Sequence, residues 1–317
     1  MFQTTGDRMI DAQNLTKKFG EVTAVENLTL HVNKGEVFGF LGPNGAGKTT
    51  AVRMLACLIS PTGGTATIGD MEIGDASNQQ KIRKIVGLLP ENAGLYDNLS
   101  AHQNLDYYGQ LYKCTEIQRR ERIEYFLRML GLWEKRNLAV GTFSKGMKQK
   151  LAIARALIHD PQVLFLDEPT ANLDPEASKT VRDFILELKK EKRTILLNTH
   201  LLDEAQRICD KVGILKTKLL ALETPEKLRQ SLLGRKTVVQ LKQVNDVVVA
   251  SVKKASRGNV EVIDNKLIID VEEPEEENPI IIEAIQTAGG RIQFVTEASP
   301  SLEDAYLRFV RSENDGF

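Results

Sequence analysis

Apolar positions change their period several times along the chain, and each change predicts a different kind of element. Residues 8–41 alternate between apolar and polar positions, which predicts strands at 9–15 and 23–32. Continuous apolar runs at 36–41, 163–167 and 194–198 predict buried strands, as found at the centre of parallel sheets. Helical patterns lie between these runs, so the first two thirds of the chain predict an α/β fold.

A helical insert interrupts the strands. Leu105, Tyr108 and Leu111 recur at the spacing of one helix face, and a second apolar series follows from Ile123 to Leu130. We therefore expect a helical subdomain over residues about 95–157, whose periodic apolar side chains form core contacts.

The pattern changes again near Gly234. Strands are expected at 237–241, 260–263, 267–271 and 291–295, and helices at 246–254, 279–288 and 301–311. This order predicts a small α+β domain of ferredoxin-like type over residues 235–317, after a first domain over 1–230. The residues leave its role open between binding a regulator and lengthening a dimer contact.

Composition places the chain among ordinary globular proteins. It has 317 residues, of which 42% are hydrophobic and 27% charged, and its net charge is −1. This balance gives no basic surplus for a nucleic-acid backbone, so we expect no nucleic-acid partner. We also expect neither a signal peptide nor a membrane span, because no apolar run approaches about 18 residues.

A glycine-rich stretch directly after the first buried strand carries the clearest chemistry. It fits the pattern G-x-x-x-x-G-K-[ST], in which backbone N–H groups surround phosphate oxygens and a helix follows. Lys48 is expected to reach the β- and γ-phosphates, and the Thr49 hydroxyl to ligate Mg²⁺. The predicted nucleotide-binding residues of this stretch are Gly42, Pro43, Asn44, Gly45, Ala46, Gly47, Lys48, Thr49 and Thr50.

Two acids end the second buried run. Asp167 stands where the Mg²⁺-holding acid of such proteins is expected, at the carboxyl end of a strand. Hydrolysis needs a group that orients and deprotonates the attacking water, and Glu168 is placed for that role.

Together these motifs resemble an ABC transporter ATPase over residues 9 to about 230. GPNGAGKTT resembles the Walker A motif and VLFLDEP the Walker B motif. FSKGMKQK stands at the place of the LSGGQ signature, residues 172–175 match the D-loop, and Asn-Thr-His at 198–200 carries the switch histidine. The resemblance implies a P-loop NTPase (RecA-like) core with an antiparallel β-subdomain and the helical insert.

The resemblance also implies an ATP-dependent homodimer. Each ATP would lie between the Walker A loop of one copy and Ser144 and Gly146 of the other, and His200 would join Glu168 in catalysis. Phe19 occupies the family's base-stacking position, although from the residues alone it could equally pack as an ordinary aromatic side chain.

The chain departs from the family at two motifs. Glu91 replaces the usual glutamine; it can still ligate metal through oxygen, but it cannot donate an amide hydrogen bond. Lys145 replaces the first glycine of the signature, which adds a cation near the phosphates or the dimer seam.

The expected function is that of an ATP hydrolase, with ATP and Mg²⁺, which powers substrate export through a separate transmembrane permease. The resemblance to the multidrug, lipid, polysaccharide and ion exporter branch gives the direction of transport. We expect a cytoplasmic protein that is peripheral to the membrane through its permease. The alternative is a soluble ATPase of the same type that acts on ribosomes or in DNA repair.

Overall fold

The computed structural model describes residues 8–90, 94–228 and 235–298. The chain divides into two compact units, Met1–Thr224 and Pro225–Phe317. The predicted helix at 301–311 and Glu91 lie outside the described residues.

Two sheets form the framework of the first unit. Its strands, among the described residues, are β1 (Arg8–Phe19), β2 (Val22–Asn33), β3 (Val37–Leu41), β4 (Gly63–Ile68), β5 (Met71–Glu72), β6 (Val86–Leu89), β7 (Val163–Asp167), β8 (Thr194–Thr199), β9 (Lys211–Lys216) and β10 (Lys218–Glu223). The larger sheet has the order β10-β9-β3-β8-β7-β6, with parallel pairing from β9 to β6. The smaller sheet is antiparallel, in the order β2-β1-β4-β5.

Burial in the two sheets follows the sequence pattern. Every residue of β3, β7 and β8 is buried, as their uninterrupted apolar runs predict. The inner face of β1 and β2 and the helix after β3 share one apolar core with this sheet, in which Phe38 and Phe40 meet edge to face at 5.1 Å.

Seven helices surround the sheets in the described part of this unit. They are α1 (Lys48–Leu55), α2 (Ala76–Ile85), α3 (Ala101–Leu111), α4 (Glu116–Met129), α5 (Lys145–Leu157), α6 (Pro175–Lys190) and α7 (Leu202–Ile208). The sequence analysis did not predict α2. Ile82 is its one buried residue, so the apolar period is too weak to predict a helix. Asp75 caps the start of this helix.

The second unit contains β11 (Arg235–Leu241), α8 (Asp246–Ala255), β12 (Val260–Ile263), β13 (Lys266–Val271), α9 (Pro274–Thr287) and β14 (Ile292–Ala298). The sheet order β12-β13-β11-β14 is a split βαβ arrangement, which is the order of strands and helices that the sequence predicts for residues 235–298. Its own apolar core includes Val239, Ile269 and Ile285. Helix α9 begins five residues before the predicted start at 279, because Pro274 serves as a first-turn proline.

Parallel pairing of β7, β8 and β3 brings their carboxyl ends to one edge of the sheet. Leu41 pairs with Thr199, and Asp167 pairs with Asn198. The loop after β3, the acids at the end of β7 and the histidine after β8 therefore meet, as ligand sites of open α/β sheets do.

Candidate nucleotide site

The loop between β3 and α1 forms a cleft of about 210 Å³ at this sheet edge. It is lined by Ala24, residues 43–50, Asp167 and Glu168. Gly45 and Gly47 have φ angles of 82° and 96°, which glycine adopts without strain. The backbone can turn inward here because no Cβ stands in the way.

The start of α1 differs from the starts of α2 to α6. Those five helices each have a side chain that caps a first-turn N–H group. Helix α1 begins after Gly47, and no side-chain cap bonds to it. Its first-turn N–H groups therefore remain for an anion in the cleft, and the helix dipole favours that charge.

Lys48 lies on the floor of the cleft with 7% of its surface exposed. Its ammonium donates hydrogen bonds to the carbonyl oxygens of Gly42 at 2.6 Å and Pro43 at 3.1 Å. Burial lowers the pKa of Lys48, and the charges of Glu168 and Asp167 oppose that change. The ammonium of Lys48 would attract an anionic ligand, and the two nearby acids would favour a cation beside that ligand.

Thr49 and Asp167 meet across the cleft. The Thr49 hydroxyl donates to Oδ2 of Asp167 at 2.8 Å, and Asn198 donates from Nδ2 to Oδ1 of the same carboxylate at 3.1 Å. The pair places one hydroxyl and one carboxylate oxygen side by side, which are ligands that Mg²⁺ prefers. Asn198 holds the carboxylate, a contact that the sequence analysis missed although it placed this residue beside the histidine.

Glu168 follows Asp167 in an unusual backbone conformation, with a φ of 49°. Its N–H donates to the Asn198 carbonyl at 2.9 Å, and its Oε1 lies 2.8 Å from Nδ1 of His200. Its other oxygen, Oε2, is buried and has no hydrogen-bond partner among the described residues. A buried carboxylate oxygen without a partner is costly, so it is placed to accept from a ligand or water.

A second cleft of about 250 Å³ adjoins the first. Its lining includes Asn44, Gln149, Ala171 and Asn172, together with Asp167, Glu168 and His200. Gln149 donates to the Pro169 carbonyl at 3.1 Å. Sequence reasoning missed Gln149, because one polar residue among the lysines in the first turns of α5 carries no signal of its own.

The predicted signature residues lie outside both clefts. Ser144 caps α5 by accepting from the Met147 N–H at 3.2 Å. Gly146 is buried, and a Cβ added to it would lie 3.1 Å from the Cβ of Ala177. Phe19 is also absent from the cleft lining; it is 51% exposed, with Nζ of Lys17 at 5.0 Å from its ring centre.

The parallel sheet, the phosphate-type loop and the acids after β7 define a P-loop nucleoside triphosphatase. The ABC transporter family model matches residues 25–171. The chain is 42% identical over 209 residues to the ABC transporter ATP-binding protein NatA of Bacillus subtilis (strain 168), across 64% of this chain and 84% of that protein. It is 34% identical over 305 residues to the Nod factor export ATP-binding protein I of Rhizobium sp. (strain N33). That match covers 96% of this chain and 97% of that protein.

Among solved structures, a dimeric ATP-binding cassette in a post-hydrolysis state with ADP and Pi is similar, with a TM-score of 0.63 and 28% identity over 68% of this chain and 98% of that one. The chain therefore belongs to the ABC transporter ATP-binding proteins, and it is an ATP-binding and ATP-hydrolysing transporter subunit. The alternative of a ribosome or DNA-repair ATPase is not favoured by these relatives. None of the helices in the described residues could cross a membrane.

Proposed function

We propose that this chain binds ATP with Mg²⁺ at residues 42–50 and hydrolyses it in a head-to-tail homodimer, to drive export through a separate permease. The observation that carries the proposal is the convergence of Lys48, Thr49, Asp167 and Glu168 on one cleft beside an uncapped helix start. These groups lie at or after the carboxyl ends of two strands, β3 and β7, and each has the chemistry that a step of ATP hydrolysis needs.

The loop and Lys48 would bind the phosphates of ATP. The N–H groups of the first turn of α1 would hold phosphate oxygens, and the ammonium of Lys48 would exchange its two carbonyl partners for β- and γ-phosphate oxygens. Because Lys48 is already buried and held, little side-chain freedom is lost when the nucleotide binds.

Thr49 and Asp167 fit a Mg²⁺ ion. Their oxygens lie 2.8 Å apart at the cleft wall, and Asn198 fixes the carboxylate from behind. Bound there, Mg²⁺ would neutralise charge on the phosphate oxygens during hydrolysis. Glu91 is proposed as a further Mg²⁺ ligand. This proposal rests only on its position in the family motif.

Glu168 and His200 act on the water. We assign Glu168 as general base, because it lines both clefts and its buried Oε2 lacks a partner among the described residues. His200 holds Oε1 of the same carboxylate and so fixes the direction of Oε2. It would also donate to the γ-phosphate once ATP is bound.

A second copy would complete the site. Ser144 and Gly146 lie outside the clefts of their own chain, and they stand at the start of α5, whose N–H groups suit a γ-phosphate. A head-to-tail dimer would bring them to the partner's nucleotide, which the dimeric relative supports. The exposed ring of Phe19 would stack on the adenine.

Export and membrane attachment are proposed from the relatives. The Nod factor export protein is similar over almost the whole chain, and this supports an export role on the cytoplasmic face, through a membrane-spanning permease. The helical subdomain would receive the permease. The pairing is tested by isolating the tagged chain from membranes of its source: a multi-spanning protein should co-purify, whereas recovery with ribosomes or DNA would contradict the proposal.

The catalytic assignment is tested with Glu168→Gln. The amide cannot accept the proton, so kcat should fall at least about 100-fold while ATP binding persists. Glu176→Gln, on the exposed start of α6, is the matched control and should keep normal turnover. Wild-type turnover in Glu168→Gln would overturn the assignment.

A further inference from the structure

A buried carboxylate lies behind the hydrolytic site and takes no part in the chemistry above. Glu204, on α7, is 3% exposed, and both of its oxygens accept hydrogen bonds from threonine hydroxyls. Thr170 donates to Oε1 at 2.7 Å, and Thr199 donates to Oε2 at 3.0 Å. Both threonines are themselves buried, at 3% and 0% exposure.

The two threonines lie next to Glu168 and His200 in the sequence. Thr170 comes two residues after Glu168, at the start of the loop toward Asn172, and Thr199 immediately precedes His200. Glu204 therefore bridges the segment after β7, which begins with Glu168, to the end of β8, which His200 follows.

The bridge has an energetic cost that a purely structural position would avoid. Burial raises the pKa of Glu204, and the hydrogen bonds from Thr170 and Thr199, with the charge of Arg182, oppose that change. An apolar side chain of similar volume would fill the same space without burying a charge, but it would leave both buried threonine hydroxyls without their acceptor. The carboxylate instead fixes the directions of two hydroxyls, and through them the spacing of two segments.

The backbone at Glu168 needs such support. A φ of 49° in a non-glycine residue persists where the surroundings hold it. On one side, the Glu168 N–H is tied to the Asn198 carbonyl at 2.9 Å. The bridge through Glu204 supplies a second tie, which links the chain just after Glu168 to the same strand end.

We propose that Glu204 is a positioning residue for ATP hydrolysis: its carboxylate ties Thr170 to Thr199 and so keeps Glu168 and His200 in hydrogen-bonding contact. This inference rests on the roles proposed above for those two residues. It predicts that loss of the bridge lowers kcat and leaves the phosphate-binding loop, and therefore ATP affinity, unchanged.

The first test compares Glu204→Leu with Glu204→Gln. Leucine removes both acceptors at similar volume, and kcat should fall about 10- to 100-fold, the scale of a small misplacement of reacting groups. Glutamine keeps one acceptor and donates to the other threonine, whose hydroxyl can rotate to accept. Its kcat should stay within about 3-fold of wild type, while the ATP Kd stays the same in both variants.

The matched control is Glu36→Leu. Glu36 is another buried acid, at 9% exposure, but it lies before β3, at the opposite end of that strand from the cleft. Its loss should lower thermal stability and leave kcat normal. If Glu36→Leu lowered kcat as much as Glu204→Leu, general destabilisation would explain both and the proposal would be wrong.

A double-mutant cycle on the two threonines tests the same bridge if Glu204→Leu fails to fold. Thr199→Val and Thr170→Val each remove one hydroxyl at nearly constant shape, and each should lower kcat without changing the ATP Kd. The two losses should be less than additive in the double variant, because breaking either end opens the bridge. Full additivity, or normal turnover in both single variants, would overturn the proposal.

The proposed hydrolytic site and the positioning role of Glu204 can be tested separately. If Glu168→Gln keeps its turnover, the proposed hydrolytic site is wrong. If Glu168→Gln loses turnover while a folded Glu204→Leu with normal ATP affinity turns over at the wild-type rate, the hydrolytic site stands and the positioning role is wrong.

Discussion

Nδ1 of His200 lies 2.8 Å from Oε1 of Glu168, although the two residues follow different strands and are 32 positions apart in the chain. The contact occupies one oxygen of the carboxylate and leaves Oε2 buried and unpartnered within the described residues. The histidine is 54% exposed at its side chain, so it can meet a nucleotide from the open side of the site. Both partners of the contact therefore come from one chain.

His200→Ala tests what this contact does. Without the imidazole, Glu168 should lose its fixed direction, and kcat should fall about 100-fold while ATP still binds in the loop. Steady-state ATPase assays with parallel binding titrations separate the two effects. His102→Ala, a histidine on α3, serves as the control and should retain normal turnover; an equal loss in both variants would count against a specific role for His200.

Thr49→Val tests the proposed Mg²⁺ site. Valine keeps the shape but removes the hydroxyl that now contacts Asp167, so half-maximal ATPase activity should need about 10- to 100-fold more Mg²⁺. The measurement is the ATPase rate against Mg²⁺ concentration at saturating ATP, and removal of divalent cations with EDTA should abolish turnover in both proteins.

The control for this series is Thr180→Val, because Thr180 lies on the exposed side of α6 and bonds to the Glu176 carbonyl. It should match the wild-type Mg²⁺ curve. An unchanged curve in Thr49→Val would remove this hydroxyl from the metal site.

Gly47→Ala tests whether the loop needs its close backbone approach. A Cβ at this position would lie 2.3 Å from the Ala24 carbonyl oxygen, and the φ of 96° is unfavourable for alanine. The loop must shift, so ATP affinity measured by calorimetry should fall at least about 10-fold. Gly69→Ala is the matched control, since it shares a positive φ of 59° but has nothing within 4 Å of the new Cβ.

Gly69→Ala should lose about 1 kcal/mol of stability through its backbone strain and keep its ATP affinity. If both variants lost affinity equally, backbone strain alone would explain the result. If Gly47→Ala bound ATP normally, the loop would have no need of the glycine.

We predict that His159 makes the first unit sensitive to acid. It stacks on Tyr112 at 3.8 Å and its Nε2 bonds to the Val86 carbonyl, and burial lowers its pKa from 6.5 to about 4. A depressed folded-state pKa means that the neutral form is favoured on folding, so this stability is present above pH 6.5 and is lost as pH falls to about 4. The loss amounts to about 3 kcal/mol.

His159→Gln keeps a donor for Val86 but does not titrate. The difference in free energy of unfolding between wild type and variant should therefore shrink between pH 7 and pH 4, as measured by urea denaturation at several pH values. A difference that stays constant over this range would show that His159 does not cause the acid sensitivity.

Much of the nucleotide cleft could be predicted from sequence because its signals are local. The loop at 42–50 and the acids at 167 and 168 follow uninterrupted apolar runs, and such runs specify buried strands whose carboxyl ends share one edge. The helical insert and the α+β tail followed from period and order, whereas the antiparallel pairing of the first strands followed from the family resemblance.

Other parts depend on long-range contacts that leave no local signal. Asn198 and Gln149 join the site by tertiary packing, and Glu204 meets Thr170 across 34 positions. Helix α2 was missed because it buries a single side chain, so its sequence lacks a helical apolar period. The proposed roles of Ser144 and Gly146 depend on a second copy, so the structure of one chain does not test them.

The most direct measurement of the central claim is the mass of Glu168→Gln in solution by sedimentation equilibrium, with and without ATP and Mg²⁺. Hydrolysis is blocked in this variant, so ATP should remain between the loop of one copy and the start of α5 of the other. We predict a monomer without nucleotide and a dimer with it, and a return to monomer when Ser144→Arg is added. A variant that binds ATP yet stays monomeric with ATP and Mg²⁺ would contradict the account.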